Sequence, residues 1–362
     1  MREEAHESDA VQDRQENLSA EAPHKQASLR RKQGGFLGLL ALLLIGLGLA
    51  TLIATQGIKL SRKFFESNLK SATQTGTSFE AAVKSFDTNR VQYLLTHKNG
   101  EISQLQKQAA LMWAARTGDA TLAGILLNHG ADAAQTVNED LKLVMLKHGY
   151  RIFRSDAMIN MSPLHICAMS AHGLRVPRCP GWNYPSLVRL LVEHGADVNA
   201  RDKWDQTPLH LTEVNNLTHT LLALGADVRL RDQWGRTPLH NAAANWVTFR
   251  HCEAAAGIVS ALINAGAEIN AVNEKGRTPL HYAAANEYGN NDDITRLLDA
   301  GAEVNAQDKE GRTALHWAAI ENRTDIMQLL LKHGAQPGLE DQDGKTADDL
   351  LLSPFPSEEP WD

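Results

Sequence analysis

The sequence predicts an all-α solenoid of stacked helix-turn-helix units joined by β-turn fingers, preceded by one transmembrane helix. Three observations predict it. The phrase Thr-Pro-Leu-His or a near copy recurs five times, each copy is followed by a leucine-rich run that ends in Gly-Ala, and residues 36–55, FLGLLALLLIGLGLATLIAT, form one uncharged apolar stretch. Internal repetition of this kind serves architecture more often than chemistry, so the period is read before any catalytic motif.

The apolar stretch comes first in the chain. At ~1.5 Å per residue its twenty residues match the ~30 Å hydrocarbon core of a bilayer. A cleaved secretory signal is the rival, because Gly48-Leu49-Ala50 offers small residues, but 35 residues precede the stretch and no A-x-A follows it. Ser28-Leu29-Arg30-Arg31 lacks the phenylalanine a twin-arginine signal wants soon after its arginines. Lys25, Arg30, Arg31 and Lys32 on one flank balance Lys59, Arg62, Lys63 and Lys70 on the other, so the positive-inside rule gives no orientation. Position near the N-terminus favours a short internal tail and a repeat domain on the non-cytoplasmic side. Within the span Gly46, Ala50 and Ala54 fall at i, i+4 and i+8. Such a small-residue stripe would let two helices approach closely and form a homodimer.

Organisation follows from composition. Residues 1–33, with seven acidic and six basic side chains and no hydrophobic period, read as a disordered polar tail. The span is placed at 34–55, a juxtamembrane linker at 56–77, the repeat array at 78–352, and a proline-bearing tail at 353–362. A net charge of −7 gives no electrostatic reason to expect nucleic acid. Cys167, Cys179 and Cys252 are too few and too scattered for a disulfide framework or a metal knuckle.

The repeat explains itself physically. The copies begin at Ser162, Thr207, Thr237, Thr278 and Thr313, with a fading one at Thr346. Ser or Thr is a good N-cap, proline is preset for the first helical turn, and the glycine of Gly-Ala ends the second helix in the left-handed conformation. One helix pair cannot bury its apolar face alone, so several must stack. These residues resemble the ankyrin repeat, whose period of about 33 residues and T-P-L-H signature they share. The interval from Thr313 to Thr346 is 33. Weaker copies precede them: residues 109–115 with Gly130-Ala131 downstream, and 79–100, which resembles an N-terminal capping unit. The array is thus about six to seven units. The resemblance implies binding of a protein partner and no catalysis.

Departures from the period are informative. Intervals between motifs run 53, 45, 30, 41 and 35, with surplus near 133–161, 170–186 and 245–257. Residues 138–149 read as an extra helix, and the other two insertions separate the helices of their units. Long loops flanking a short unit could close over it as a binding face, or they are tolerated elaborations. Arg175, Arg178, Trp182 and Tyr184 in the first loop are residue types found at interface hot spots. Cys179 and Cys252 sit one in each long loop, which leaves a disulfide between them open if the domain is exported.

Catalytic readings are thin. The motif histidines His165, His210, His240, His281 and His316 sit in units stacked ~8–10 Å apart, too far to share a zinc ion that needs its ligands at ~2 Å. Each imidazole is expected to tie its helix start to neighbouring backbone. No G-x-S-x-G, H-E-x-x-H or G-K-[ST] loop occurs, and no cofactor or metal is expected. A redox or enzymatic role would rest on Cys179 alone, and a membrane-organising role on the small-residue stripe.

The sharpest signal is in the finger turns: Asp202-Lys203-Trp204-Asp205, Asp232-Gln233-Trp234-Gly235, Asn273-Glu274-Lys275-Gly276, Asp308-Lys309-Glu310-Gly311 and Asp341-Gln342-Asp343-Gly344. The fourth column wants φ > 0, which Asp205 tolerates better than most residues. Charge in the third column is ordinary at a turn tip; two neighbouring tryptophans are not. Trp204 and Trp234 either pack on a neighbouring finger or await a partner. Trp113, Tyr282 and Trp317, each just after the motif, extend the candidate concave patch. The leading expectation is a membrane-tethered scaffold that binds an unidentified protein through these residues.

Overall fold

The computed structural model describes residues 78–150, 158–170, 183–244, 257–286 and 291–351. The chain divides into two units, 1–76 and 77–362, and every described residue lies in the second. The expected span at 36–55, its stripe of Gly46, Ala50 and Ala54, and the polar tail lie outside the described residues. No described helix is long and apolar enough to cross a membrane.

The described residues are helical with no strand, as an array of helix pairs requires. Helices α1 (Phe79–Lys84) and α2 (Thr88–His97) form the first pair, and α3 (Gln104–Thr117) and α4 (Ala120–Asn128) the second. Helix α5 (Glu139–Lys147) is the extra helix expected within 138–149, capped by Asn138. Next come α6 (Pro163–Ser170) with α7 (Tyr184–Glu193), and then a 3-10 turn (Pro208–Leu211) with α8 (Asn215–Ala223). The pairs α9 (Pro238–Ala244) with α10 (Ile258–Asn264), α11 (Pro279–Ala284) with α12 (Asn291–Asp299), and α13 (Ala314–Ile320) with α14 (Thr324–Lys332) follow, and α15 (Ala347–Leu351) opens the last unit. The short 30-residue unit has lost most of its first helix: only the 3-10 turn remains there.

First helices stack in one row, α3 to α6 to the 3-10 turn to α9, α11, α13 and α15. Second helices stack in another, α2 to α4, α7, α8, α10, α12 and α14. Each unit contributes leucines to one continuous core, with Leu221, Leu262, Leu297 and Leu330 all buried. Burying one such side chain stabilises by roughly 1.5–3 kcal/mol, and neighbouring units supply part of the surface that covers it. The second helices followed by Gly-Ala end as the sequence implies. Gly225, at φ 91°, takes the left-handed conformation, and Ala226 N then donates to Leu221 O at 3.0 Å.

The motif histidine makes the link between units. Backbone N–H of Thr207 donates to His210 Nδ1 at 3.1 Å. A nitrogen that accepts from a backbone amide carries no proton, so the neutral ring holds its proton on Nε2. Nε2 of His210 lies 3.1 Å from the Arg236 carbonyl, where that proton is donated. The same strap recurs from His165 to Gln206 O at 3.0 Å, His240 to Arg277 O at 3.1 Å, His281 to Arg312 O at 3.0 Å, and His316 to Lys345 O at 3.2 Å. In every case the accepting residue immediately precedes the Thr that opens the next unit. The arrangement is a capping box in which histidine replaces the usual Glu or Gln, with its second nitrogen reaching one unit further.

Burial holds His165 down at about 4 and His240 at about 3, and it lowers His210 and His281 as well. Folded values below the ~6.5 of a free histidine mean that the unfolded chain takes up protons first. Stability is therefore fully present above about pH 6.5 and falls as pH drops toward 4, by ~1.4 kcal/mol per pH unit for His165 and for His240. Urea midpoints followed by circular dichroism should fall steeply between about pH 6.5 and about pH 5. A flat midpoint over that interval would contradict the neutral straps.

Candidate functional site

The fingers are built from one local rule. The leading Asp or Asn accepts two backbone N–H bonds through Oδ1: Asp202 from Trp204 and Gln206, both at 2.9 Å, and Asp232 from Trp234 at 3.0 Å and Arg236 at 2.8 Å. Those bonds close an Asx-type turn and leave the fourth residue at positive φ. Asp205 takes that conformation at φ 58° where Gly235, Gly276 and Gly311 stand in later fingers, at φ 75°, 76° and 77°. The glycines are needed for space too: a Cβ on Gly276 would meet Lys309 N of the next finger at 3.0 Å.

Neighbouring fingers are joined through the third column. Gln233 N donates to Trp204 O and Glu274 N to Trp234 O, each at 3.0 Å; Lys309 N to Lys275 O and Gln342 N to Glu310 O, each at 2.9 Å. Trp204 and Trp234 thus sit on adjacent, hydrogen-bonded fingers. Both indoles are half-buried, and Trp204 packs against the core. Each carries a cation on its face: Lys203 Nζ stands 4.2 Å from the Trp204 ring centre, and the Arg236 guanidinium 4.3 Å from that of Trp234. One part of each ring is packed and the other remains open to solvent.

The other expected site residues divide. Tyr282 and Trp317 are each 7% exposed and face inward between units. Tyr282 OH accepts from Asn273 Nδ2 at 2.9 Å, and Trp317 Nε1 donates to Asp308 Oδ2 at 3.0 Å. Their polar tips satisfy finger residues, so burial has a structural reason and little ring is left for a partner. Trp113 is half-buried with its ring 5.7 Å from that of Tyr150. Tyr184 is half-buried and its hydroxyl donates to Arg116 O at 2.7 Å, which ties α7 to α3. Arg175, Arg178, Trp182, Cys179 and Cys252 lie outside the described residues.

The sequence reading missed a column of arginines just before the motif. Arg236 Nε donates to Asp232 Oδ2 at 2.8 Å. Arg277 pairs with Asp308 at 3.4 Å while lying 4.2 Å over the Trp317 ring, and Arg312 pairs with Asp341 at 3.7 Å. The signal was present as RTPLH in the Thr237 and Thr278 copies and as RTALH at Thr313. In the Thr207 copy the same position is Gln206, and Asp202 Oδ2 is buried without a hydrogen-bond partner. Burial pushes the Asp202 carboxyl up, the two backbone N–H bonds oppose it, and the nearby Asp205 and Asp232 charges add to the rise.

Among the described residues no three His, Cys, Asp or Glu side chains are grouped to hold a metal. Both nitrogens of each motif histidine are engaged in the straps. Cys167 is buried inside α6, where burial pushes its thiol far up and keeps it un-ionised.

Fold and site define a helix-pair solenoid that presents a row of turn fingers. The family model for ankyrin repeats matches three times, at residues 178–255, 211–308 and 284–347, so this stretch carries ankyrin repeats and points to an interaction protein. The chain is also similar to fem-1 homolog C of Homo sapiens and of Bos taurus, 46% identical over 59 residues. That segment is 16% of this chain and 9% of the relative, so the chain spans about a tenth of the length of the curated relatives it matches.

The Asp202 and Asp232 environments make opposite predictions for one substitution. Asp232→Asn leaves buried Arg236 without its carboxylate and should cost about 1–3 kcal/mol. Asp202→Asn keeps the Oδ1 acceptor, removes an unpaired buried charge, and should leave the melting temperature at neutral pH unchanged or higher. Equal destabilisation of the two variants in thermal unfolding would contradict this account.

Proposed function

We propose that this chain is a membrane-tethered ankyrin-repeat scaffold whose finger face at Trp204 and Trp234 binds a protein partner. The observation that carries the reading is the pair of half-buried indoles on adjacent, hydrogen-bonded fingers. Ankyrin repeats supply the general role of protein interaction. Tryptophan supplies large, rigid contact area at low entropic cost, which is why it is enriched at the centres of interfaces. Later fingers place Lys275, Glu310 and Asp343 in the same column, so the apolar face is confined to the first two.

The tether rests on the apolar stretch at 36–55. A short internal tail and an external array is the proposed orientation. A topology reporter fused after Asp362 tests it: activity only of a reporter competent outside the cytoplasm is expected, and activity only of a cytoplasmic one would reverse the orientation.

For the finger site, a Trp204→Ala/Trp234→Ala double variant should lose at least tenfold in partner recovery, the equivalent of ~1.4 kcal/mol, while its helical circular dichroism stays intact. Undiminished recovery with an intact fold would refute the finger site.

A further inference from the structure

The five described fingers place Asp or Asn at the same turn position, and in four of them the second side-chain atom is satisfied from within the chain. Asp232 Oδ2 accepts from Arg236 Nε at 2.8 Å, and Asn273 Nδ2 donates to Tyr282 OH at 2.9 Å. Asp308 Oδ2 accepts from Trp317 Nε1 at 3.0 Å and faces Arg277 at 3.4 Å; Asp341 Oδ2 faces Arg312 at 3.7 Å. Asp202 differs: the residue is 5% exposed, yet its Oδ2 has no hydrogen-bond partner.

Three positions supply those partners elsewhere. They are the residue before the motif in the same unit, the residue after the motif's histidine, and the residue before the motif in the preceding unit. For Asp202 they are Gln206, Leu211 and Met161. Leucine and methionine have no donor. A glutamine side chain carries its amide where arginine has Nε, with no guanidinium beyond it, and Gln206 is not bonded to Asp202 Oδ2. At this finger the chain places no arginine between the carboxylate and the half-buried tryptophan, where Arg236 stands between Asp232 and Trp234.

The missing group is defined by its counterparts. Arg236 lies 4.3 Å over Trp234 while bonding Asp232, and Arg277 lies 4.2 Å over Trp317 while pairing with Asp308. Each is an arginine held between an indole face and a finger carboxylate. We propose that the Asp202–Trp204 finger receives an arginine side chain of the protein partner, its guanidinium stacked on Trp204 and paired with Asp202. The proposal rests on the protein-binding reading above and deepens it. Arginine fits better than lysine because the planar guanidinium stacks on an indole and presents forked donors to a carboxylate. Lys203, a flexible cation 4.2 Å from the Trp204 ring, already marks that face as favourable to positive charge.

The test uses the full chain in detergent micelles, with tryptophan indole N–H signals followed by nuclear magnetic resonance. The probes are N-acetyl-arginine amide and N-acetyl-lysine amide. The arginine compound should shift the Trp204 signal saturably. Asp202→Asn should weaken that response about tenfold, and Gln206→Arg, which supplies the guanidinium from within, should abolish it while raising the melting temperature. Asp202→Asn keeps the turn, since Asn273 makes the same two Oδ1 bonds, to Lys275 N at 3.0 Å and Arg277 N at 2.9 Å. No saturable shift at Trp204, an equal response to the lysine compound, or a response that survives both variants overturns the proposal. If the double tryptophan variant loses its partner while arginine has no effect, the finger site stands and the arginine assignment falls. If arginine acts at Trp204 and partner recovery is unchanged in that variant, the slot stands and the scaffold reading falls.

Discussion

Five successive units of this array each depend on one imidazole. His165, His210, His240, His281 and His316 each accept a backbone N–H with Nδ1, which sets their own helix start, and present Nε2–H to the carbonyl just before the next unit. No other protonation state does both tasks. An imidazolium could not accept, and the other tautomer would set one N–H against another. The strap therefore couples local capping to stacking. It also makes the register between units a property of charge state, because burial disfavours the charged ring at His165, His210, His240 and His281.

With the units in register, the fingers fall into columns, and column chemistry decides what each finger can offer. Where an arginine precedes the motif, the finger carboxylate is neutralised and an indole is covered from within, as at Trp234 and Trp317. Where that arginine is Gln206, the carboxylate stays unpaired and the neighbouring indole is not covered by an arginine of its own column. The same repetition that gives stability thus makes one irregular finger a candidate for recognition. Electrostatic pairing of this kind fixes orientation and specificity more than raw affinity.

The fold was legible because its determinants are local and written several times. Thr-Pro-Leu-His names a cap and a first turn, and Gly-Ala names a stop. The extra helix at Glu139–Lys147 was readable from its own apolar spacing. The site was legible only in part. The oddity of Trp204 and Trp234 shows in a column comparison, as does the tolerance of Asp205 for positive φ. The inward turn of Tyr282 and Trp317 does not, because it depends on Asn273 and Asp308 lying within reach across the turn. The unpaired state of Asp202 is likewise a three-dimensional fact, the joint result of Met161, Gln206 and Leu211, which are far from notable one at a time.

The most direct test of the central constraint is the tautomer of the motif histidines. Long-range proton–nitrogen correlation of the imidazoles at about pH 6 should show His165, His210, His240 and His281 as neutral rings protonated at Nε2. Their Nε2 protons should also exchange slowly, being held against the next unit's backbone. Rings protonated at Nδ1, or charged imidazolium rings in a folded array at that pH, would contradict the account that these histidines strap each unit to the next.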